Sequence, residues 1–426
     1  MTRASAGRIK RRQETDTLSW VATRVERARN SKRKLDPDKL ARGMVTRAWK
    51  EALRRTHQCF GRSIDRFFRL EVSPEGSDLA SIDLSSVPYQ VNVSIGMPTF
   101  LYKITRLLAA RSAPFSDGQV PGQHGRDVTV PYDESVLRMN RAFFWYSATR
   151  SSTVFQDFDI DEHQAVVAGM LAMEAEIFLI CHELAHGLLA DMPPGSDAFL
   201  KELQVGLGGL SADWREELSA DRLALFLAIG KRPGPRDGHQ LSMQYAGWEF
   251  SLLLHREWER YEETVTSASV SFTTHPPARD RVQDLRDTLR RYTGLPEASN
   301  AFSAAEAFAT VFSGMVNSMF SEEFRQGAAR RDELRANKLV ALAHMCSAGA
   351  VPDYSRFVPE AMDLLQQAEG WTLLQHVCDA TAPLRDEVAM DFKNLQVAKL
   401  IWRACEGLEE PLYSVFKRVT ALPDLF

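Results

Sequence analysis

The sequence predicts a mainly helical chain carrying one small sheet, an α+β fold. Three observations carry that expectation. Apolar residues from Glu162 onward recur at helical spacing through long uninterrupted segments. One short run, "YQVNVSIG" from Tyr89 to Gly96, alternates as a half-buried strand does. Beyond "GLPEASN", residues 294–300, the chain reads as helix to its end.

In chain order, residues 1–58 read as a basic helical N-terminal arm, broken at "KLDPDKL" where Pro37 follows Asp36. Residues 59–297 form the expected central domain. It opens with short strand-like and helical pieces. A helix is predicted to start at Pro98, where a fixed φ suits the first turn. "SAPFSDGQVPGQHGRD" is loop, and residues 127–155 are read as holding one or two strands. A long apolar helix follows from Glu162 to about Ala190, a pattern that belongs to a helix buried on most sides. Further helices are expected at about 211–229, stopped by Gly230, then at 240–264 and at 278–292. Residues 298–426 form an all-helical C-terminal domain. Three segments there each place a cysteine (Cys346, Cys378, Cys405) near a helix end and before a proline, which suggests degenerate helical repeats.

Composition narrows the class. Hydrophobic residues at 44% and charged residues at 25% describe a folded globular chain rather than a disordered one. No run reaches the roughly 20 uninterrupted apolar residues of a membrane span; the nearest is interrupted by Glu174 and Glu176. The basic N-terminus has no apolar segment behind it, unlike a secretory signal. Five scattered cysteines fit a reducing compartment, so a cytoplasmic location is expected. Residues 1–55 hold 17 Lys and Arg against 6 Asp and Glu, whereas the rest is acidic. Such an arm can touch nucleic acid or an anionic surface, but no nucleic-acid motif accompanies it.

The chemistry is concentrated in "CHELAHGLLADM", residues 181–192. His182 and His186 are four apart in a helical pattern, so both imidazoles project from one face and can reach one ion. Glu183 lies beside them, where it can act on a water held by that ion. Ionisable groups crossing so apolar a helix are costly unless they serve one another. A hydrolytic zinc centre needs a third protein ligand and an open fourth position. The metzincin pattern is excluded, because Leu189 and Met192 stand where it needs Gly and His. An acidic ligand from the next helix remains. In "WREELSADRLALFLAIG", Glu217 and Asp221 share a face: Glu217 can bind the ion and Asp221 can face a ligand histidine. Glu216 is the alternative ligand, but it does not share that face.

"HELAH", then "EELSADRLA", then "THPPARDRV" resemble, in order, the motifs of gluzincin metallopeptidases of the CAAX-prenyl-protease and heat-shock-protease type. The resemblance covers roughly residues 85–293. It implies a zincin-like catalytic domain with a metal helix and a glutamate helix, and one Zn2+ held by His182, His186 and Glu217. Glu183 would be general base, Asp221 would support a ligand histidine, His275 would stabilise the oxyanion and Arg281 would tie its loop to the site. Many relatives are membrane-embedded and this sequence shows no span, so the resemblance supports the chemistry and not a membrane substrate. The expected function is therefore a zinc-dependent endopeptidase acting on intracellular proteins, gated by a protein partner or by its appended domains. The alternative is a non-proteolytic binding protein on a metallopeptidase scaffold. A substrate strand is expected to pair with "RDVTVPY" or "STVFQDF".

Overall fold

The computed structural model describes residues 37–61, 63–73, 79–111, 132–150, 160–191, 201, 203–230, 238–266, 275–295, 301–347, 353–384, 392–408 and 412–420. It is mainly helical with a three-stranded sheet. Two compact units form: residues 1–131 with 157–313, and residues 132–156 with 314–426. This division differs from the three consecutive domains read from the sequence.

The first unit begins with α1 (Pro37–Phe60), followed by β1 (Phe68–Ser73), β2 (Ala80–Asp83) and β3 (Tyr89–Ser94). Then come α2 (Met97–Arg111), α4 (Glu162–Asp191), α5 (Ala212–Ile229), α6 (Gly238–Thr266) and α7 (Ala278–Thr293). In the sheet, β3 lies between its neighbours, parallel to β1 and antiparallel to β2. Val91 and Val93 of β3 are fully buried, as the alternation predicts.

The centre of this unit is α4. Its start is fixed by a reciprocal cap: Gln164 N–H donates to the Asp161 carboxylate at 2.7 Å, and Asp161 N–H donates to Gln164 Oε1 at 3.1 Å. By length and composition alone α4 passes for a membrane span despite Glu174 and Glu176. Most of that apolar stretch is buried inside the protein. The sheet rests near its C-terminal half. A Cβ added at Gly187 would lie 2.5 Å from the Phe68 ring and 3.1 Å from Ile82 Cδ1.

Glu174 is explained by a partner 119 positions away. Arg55 of α1 forks its carboxylate with two bonds of 2.7 Å and donates to the Ala228 carbonyl at the end of α5. Trp248 Nε1 adds a bond of 3.2 Å. Residues 37–58, read as part of a basic arm, are thus in a core helix: Val45, Ala48 and Ala52 are buried and Arg55 ties α1 to α4 and α5. The remaining arm, residues 1–36, lies outside the described residues.

Helix α6 crosses α4 at a glycine. A Cβ on Gly247 would fall 2.6 Å from Glu174 Cβ and 2.9 Å from the Leu171 carbonyl. Neither atom can rotate away, so Gly247→Ala must push the helices apart. Thermal melting is expected to show a loss of about 1–3 kcal/mol, the usual cost of an overpacked methyl. An unchanged melting temperature would mean that the crossing is looser than this.

The second unit contains α3 (Tyr132–Thr149), the end of α8 (Ser303–Met319), α9 (Glu322–Ser347), α10 (Tyr354–Gln366), α11 (Trp371–Thr381), α12 (Phe392–Glu406) and α13 (Leu412–Thr420). Residues 132–149 are helix, not the strand expected within 127–155. Their aromatic cluster, Phe143 to Tyr146, is core, with Phe144 packed edge-on against Trp371. Glu369 pins this unit: its carboxylate meets Arg331 and Arg335, its carbonyl accepts from Asn140, and its N–H donates to Asp332. Burial pushes the Asp332 carboxyl up to about 6. Cys346, Cys378 and Cys405 each lie near the end of a helix, as expected.

Candidate metal centre

The site is built where α4 and α5 pack side by side. Helix α5 is started by Ser211, whose hydroxyl accepts from Trp214 N–H, and stopped by Gly230 at φ 70°. That framing fixes the rotation of Glu216, Glu217 and Asp221 against α4. The two helices run antiparallel here: His182 meets Asp221, one turn further along α5 than the residues that His186 meets.

Three donors converge. His182 Nε2 and His186 Nε2 are 3.1 Å apart; His182 Nε2 lies 3.5 Å from Glu217 Oε2 and His186 Nε2 lies 3.5 Å from Glu217 Oε1. Among the described residues, these three bring their donor atoms close enough together that they could hold a metal ion. A tetrahedral zinc ion with bonds of about 2.0–2.1 Å spaces its ligands about 3.4 Å apart, so two imidazoles and one carboxylate at these separations fit that ion. Glu217 Oε2 is buried without a directed hydrogen bond, although His275 Nδ1 is 2.9 Å away. A lone pair on this carboxylate therefore has no protein donor aligned with it.

The surrounding charges are arranged in sequence. Asp221, fully buried, lies 3.0 Å from His182 Nδ1. Arg281 forks Asp221 with two bonds of 2.7 Å and reaches Glu217 Oε2 at 3.7 Å. Its own helix, α7, is fastened further by Asp284 to Arg222 and by Arg286 to Glu249. Glu183 is 8% exposed and lies between the two histidines in the chain.

Burial alone would pull the His182 imidazole down, but the carboxylates of Asp221 and Glu217 outweigh it and push the pKa up to about 10. Burial likewise opposes charge on Glu217, yet His182, His186 and His275 hold its carboxyl far below the usual range. Burial opposes charge on Asp221 too, and Arg281 and His182 hold it low. Contact with Glu217 raises the pKa of His275.

All seven residues singled out from the sequence are therefore described, and six meet through direct contacts: His182, His186, Glu217, Asp221, His275 and Arg281. Two others were not singled out. His255 of α6 stands with its ring 6.0 Å from that of His275, and burial, with Arg281, His275 and His182, pushes its pKa down to about 3. Glu259, one turn on, is buried and lies 4.0 Å from His255. The signal available was their spacing of four. Glu216 is the third case: it stands apart from the group of His182, His186 and Glu217 and lies 3.3 Å from His186 Nδ1. The segments expected to pair with a substrate strand, residues 126–132 and 152–158, lie outside the described residues except for Tyr132, which begins α3. Comparison with protein-family models, curated proteins and solved structures finds no match.

Proposed function

We propose that the chain is a zinc-dependent endopeptidase of the gluzincin type, with a zincin-like catalytic arrangement. The observation that carries the reading is the triangle of His182, His186 and Glu217 donors with Glu183 beside them in α4. Zinc held there would act as a Lewis acid towards a water and the scissile carbonyl. Glu183 takes the proton from the attacking water and delivers it to the leaving amine. Asp221 faces His182 Nδ1, so that Nε2 turns inward, and Arg281 keeps Asp221 charged and in place. His275 places Nδ1 2.9 Å from Glu217, a contact that favours the imidazolium, and in that form its Nε2–H would donate to the developing oxyanion.

The sheet supports the same reading. Among the described residues β2 is an edge strand, antiparallel to β3, and its Ile82 approaches Gly187 just after His186. A peptide added beside β2 would run past the metal helix. Among the described residues, β2 is thus a further candidate partner for the substrate beside the two segments named from the sequence. The substrate class is a protein or peptide in extended form, with gating by a partner or by the second unit.

Glu183→Gln should reduce cleavage by about 10²–10⁴-fold while metal content stays unchanged, because the change removes only the base. The check is a comparison of new protein N-termini in cells expressing the wild type or this variant, with zinc content measured on both purified proteins. N-termini confined to the wild type support the peptidase. Identical sets with zinc bound in both would favour the non-proteolytic scaffold.

A further inference from the structure

We propose that Glu216 is the positioning residue for His186, so that each metal-facing histidine is held from behind by its own carboxylate. The inference rests on the reading of His182, His186 and Glu217 as a metal site and assigns a role to a residue outside that set.

The argument is geometric. His186 turns Nε2 towards His182 and Glu217, and its other nitrogen, Nδ1, lies 3.3 Å from Glu216 Oε1. His182 has a carboxylate in the matching place, with Nδ1 3.0 Å from Asp221 but not aligned as a hydrogen bond. Both carboxylates come from α5, and they flank Glu217 at positions 216 and 221. Because α4 and α5 are antiparallel, one turn forward from His182 to His186 matches a step back from Asp221 to Glu216. One helix thus supplies the ligand and both carboxylates. A carboxylate at Nδ1 holds the proton on that nitrogen, so the Nε2 lone pair stays available and the ring stays aimed at the ion.

The two supports differ in strength. Asp221 is fully buried and forked by Arg281, whereas the Glu216 side chain is 60% exposed and has no such anchor among its described contacts. His182 is therefore the fixed half of the site and His186 the labile half. Zinc held there would be released first from His186, and Glu216 would govern how readily.

The test uses the full chain and Zn2+ competed against a chromophoric chelator, with wild type, Glu216→Gln, Glu216→Ala and Glu217→Gln. Wild type is expected to bind one zinc and Glu217→Gln to lose it. Both Glu216 variants are expected to weaken binding about tenfold or more, the usual effect of removing such a support. The change should appear as faster zinc release into excess chelator, with the melting temperature of the metal-free chain unchanged. Glu216 variants within twofold of wild type in affinity and release rate, with Glu217→Gln still defective, would overturn the role of Glu216 alone. Wild type that binds no zinc, or Glu217→Gln that binds it normally, would sink the metal reading itself.

Discussion

Zinc affinity should climb about tenfold for each pH unit from about pH 6.5 to 9, a total near 300-fold. The cause is His182. A metal-binding imidazole must be neutral, and here Asp221 and Glu217 outweigh burial and hold the proton on this ring up to about pH 10. Below that value every zinc bound displaces one proton from His182, so affinity follows hydroxide concentration. A histidine with an ordinary pKa near 6.5 would give a curve that levels off just above neutrality.

Chelator competition at a series of pH values measures the slope directly, and proton release in weak buffer counts the displaced proton. A plateau above about pH 7 would mean that the carboxylates do not act on His182 as their distances imply. The same shift has a consequence for the metal-free chain. A raised folded-state pKa contributes stability that is fully present below about pH 6.5 and is lost as pH rises through about 10. Zinc-free protein is thus expected to melt at lower temperature towards pH 10, against the direction in which zinc binding strengthens.

How much of this was legible in the sequence depended on separation along the chain. His182 and His186, and Glu217 and Asp221, are pairs at one helical turn, and helical periodicity alone puts each pair on a face. The long helices followed from the same periodicity, and Gly230 marked the end of α5 because a left-handed residue is needed there. Contacts across the fold carried no such signal. Nothing near Glu174 in the sequence points to Arg55, so the acid appeared only as an interruption in an apolar helix. Residues 132–149 were read with their chain neighbours, yet the surface their aromatics fit belongs to helices more than 200 positions later. Glu216 looked like a misplaced ligand because its role depends on where the outer nitrogen of His186 points, which rotamers decide and spacing does not.

Arg281→Met should cost about 3–5 kcal/mol of stability and most of the zinc affinity together. Arg281 is 5% exposed and makes both of its short bonds to Asp221, which is fully buried. Removing the cation leaves a carboxylate in the interior with only His182 beside it, and that carboxylate must either stay charged without its main partner or take up a proton. In the first case the fold loses stability; in the second the support behind His182 is gone. Adding Asp221→Asn separates the two effects. With both charges removed, no ion is left buried and unpaired, so much of the stability should return. Zinc affinity should not return, because an amide at position 221 holds the His182 ring less strongly than a carboxylate. Chemical denaturation and zinc competition on the two variants read these quantities independently. If stability and affinity recovered together in the double variant, Arg281 and Asp221 would be a fastening of α7 to α5 and nothing more. If neither recovered, the asparagine would itself be failing to fit between His182 and α7, and Asp221→Asn alone would show the same defect.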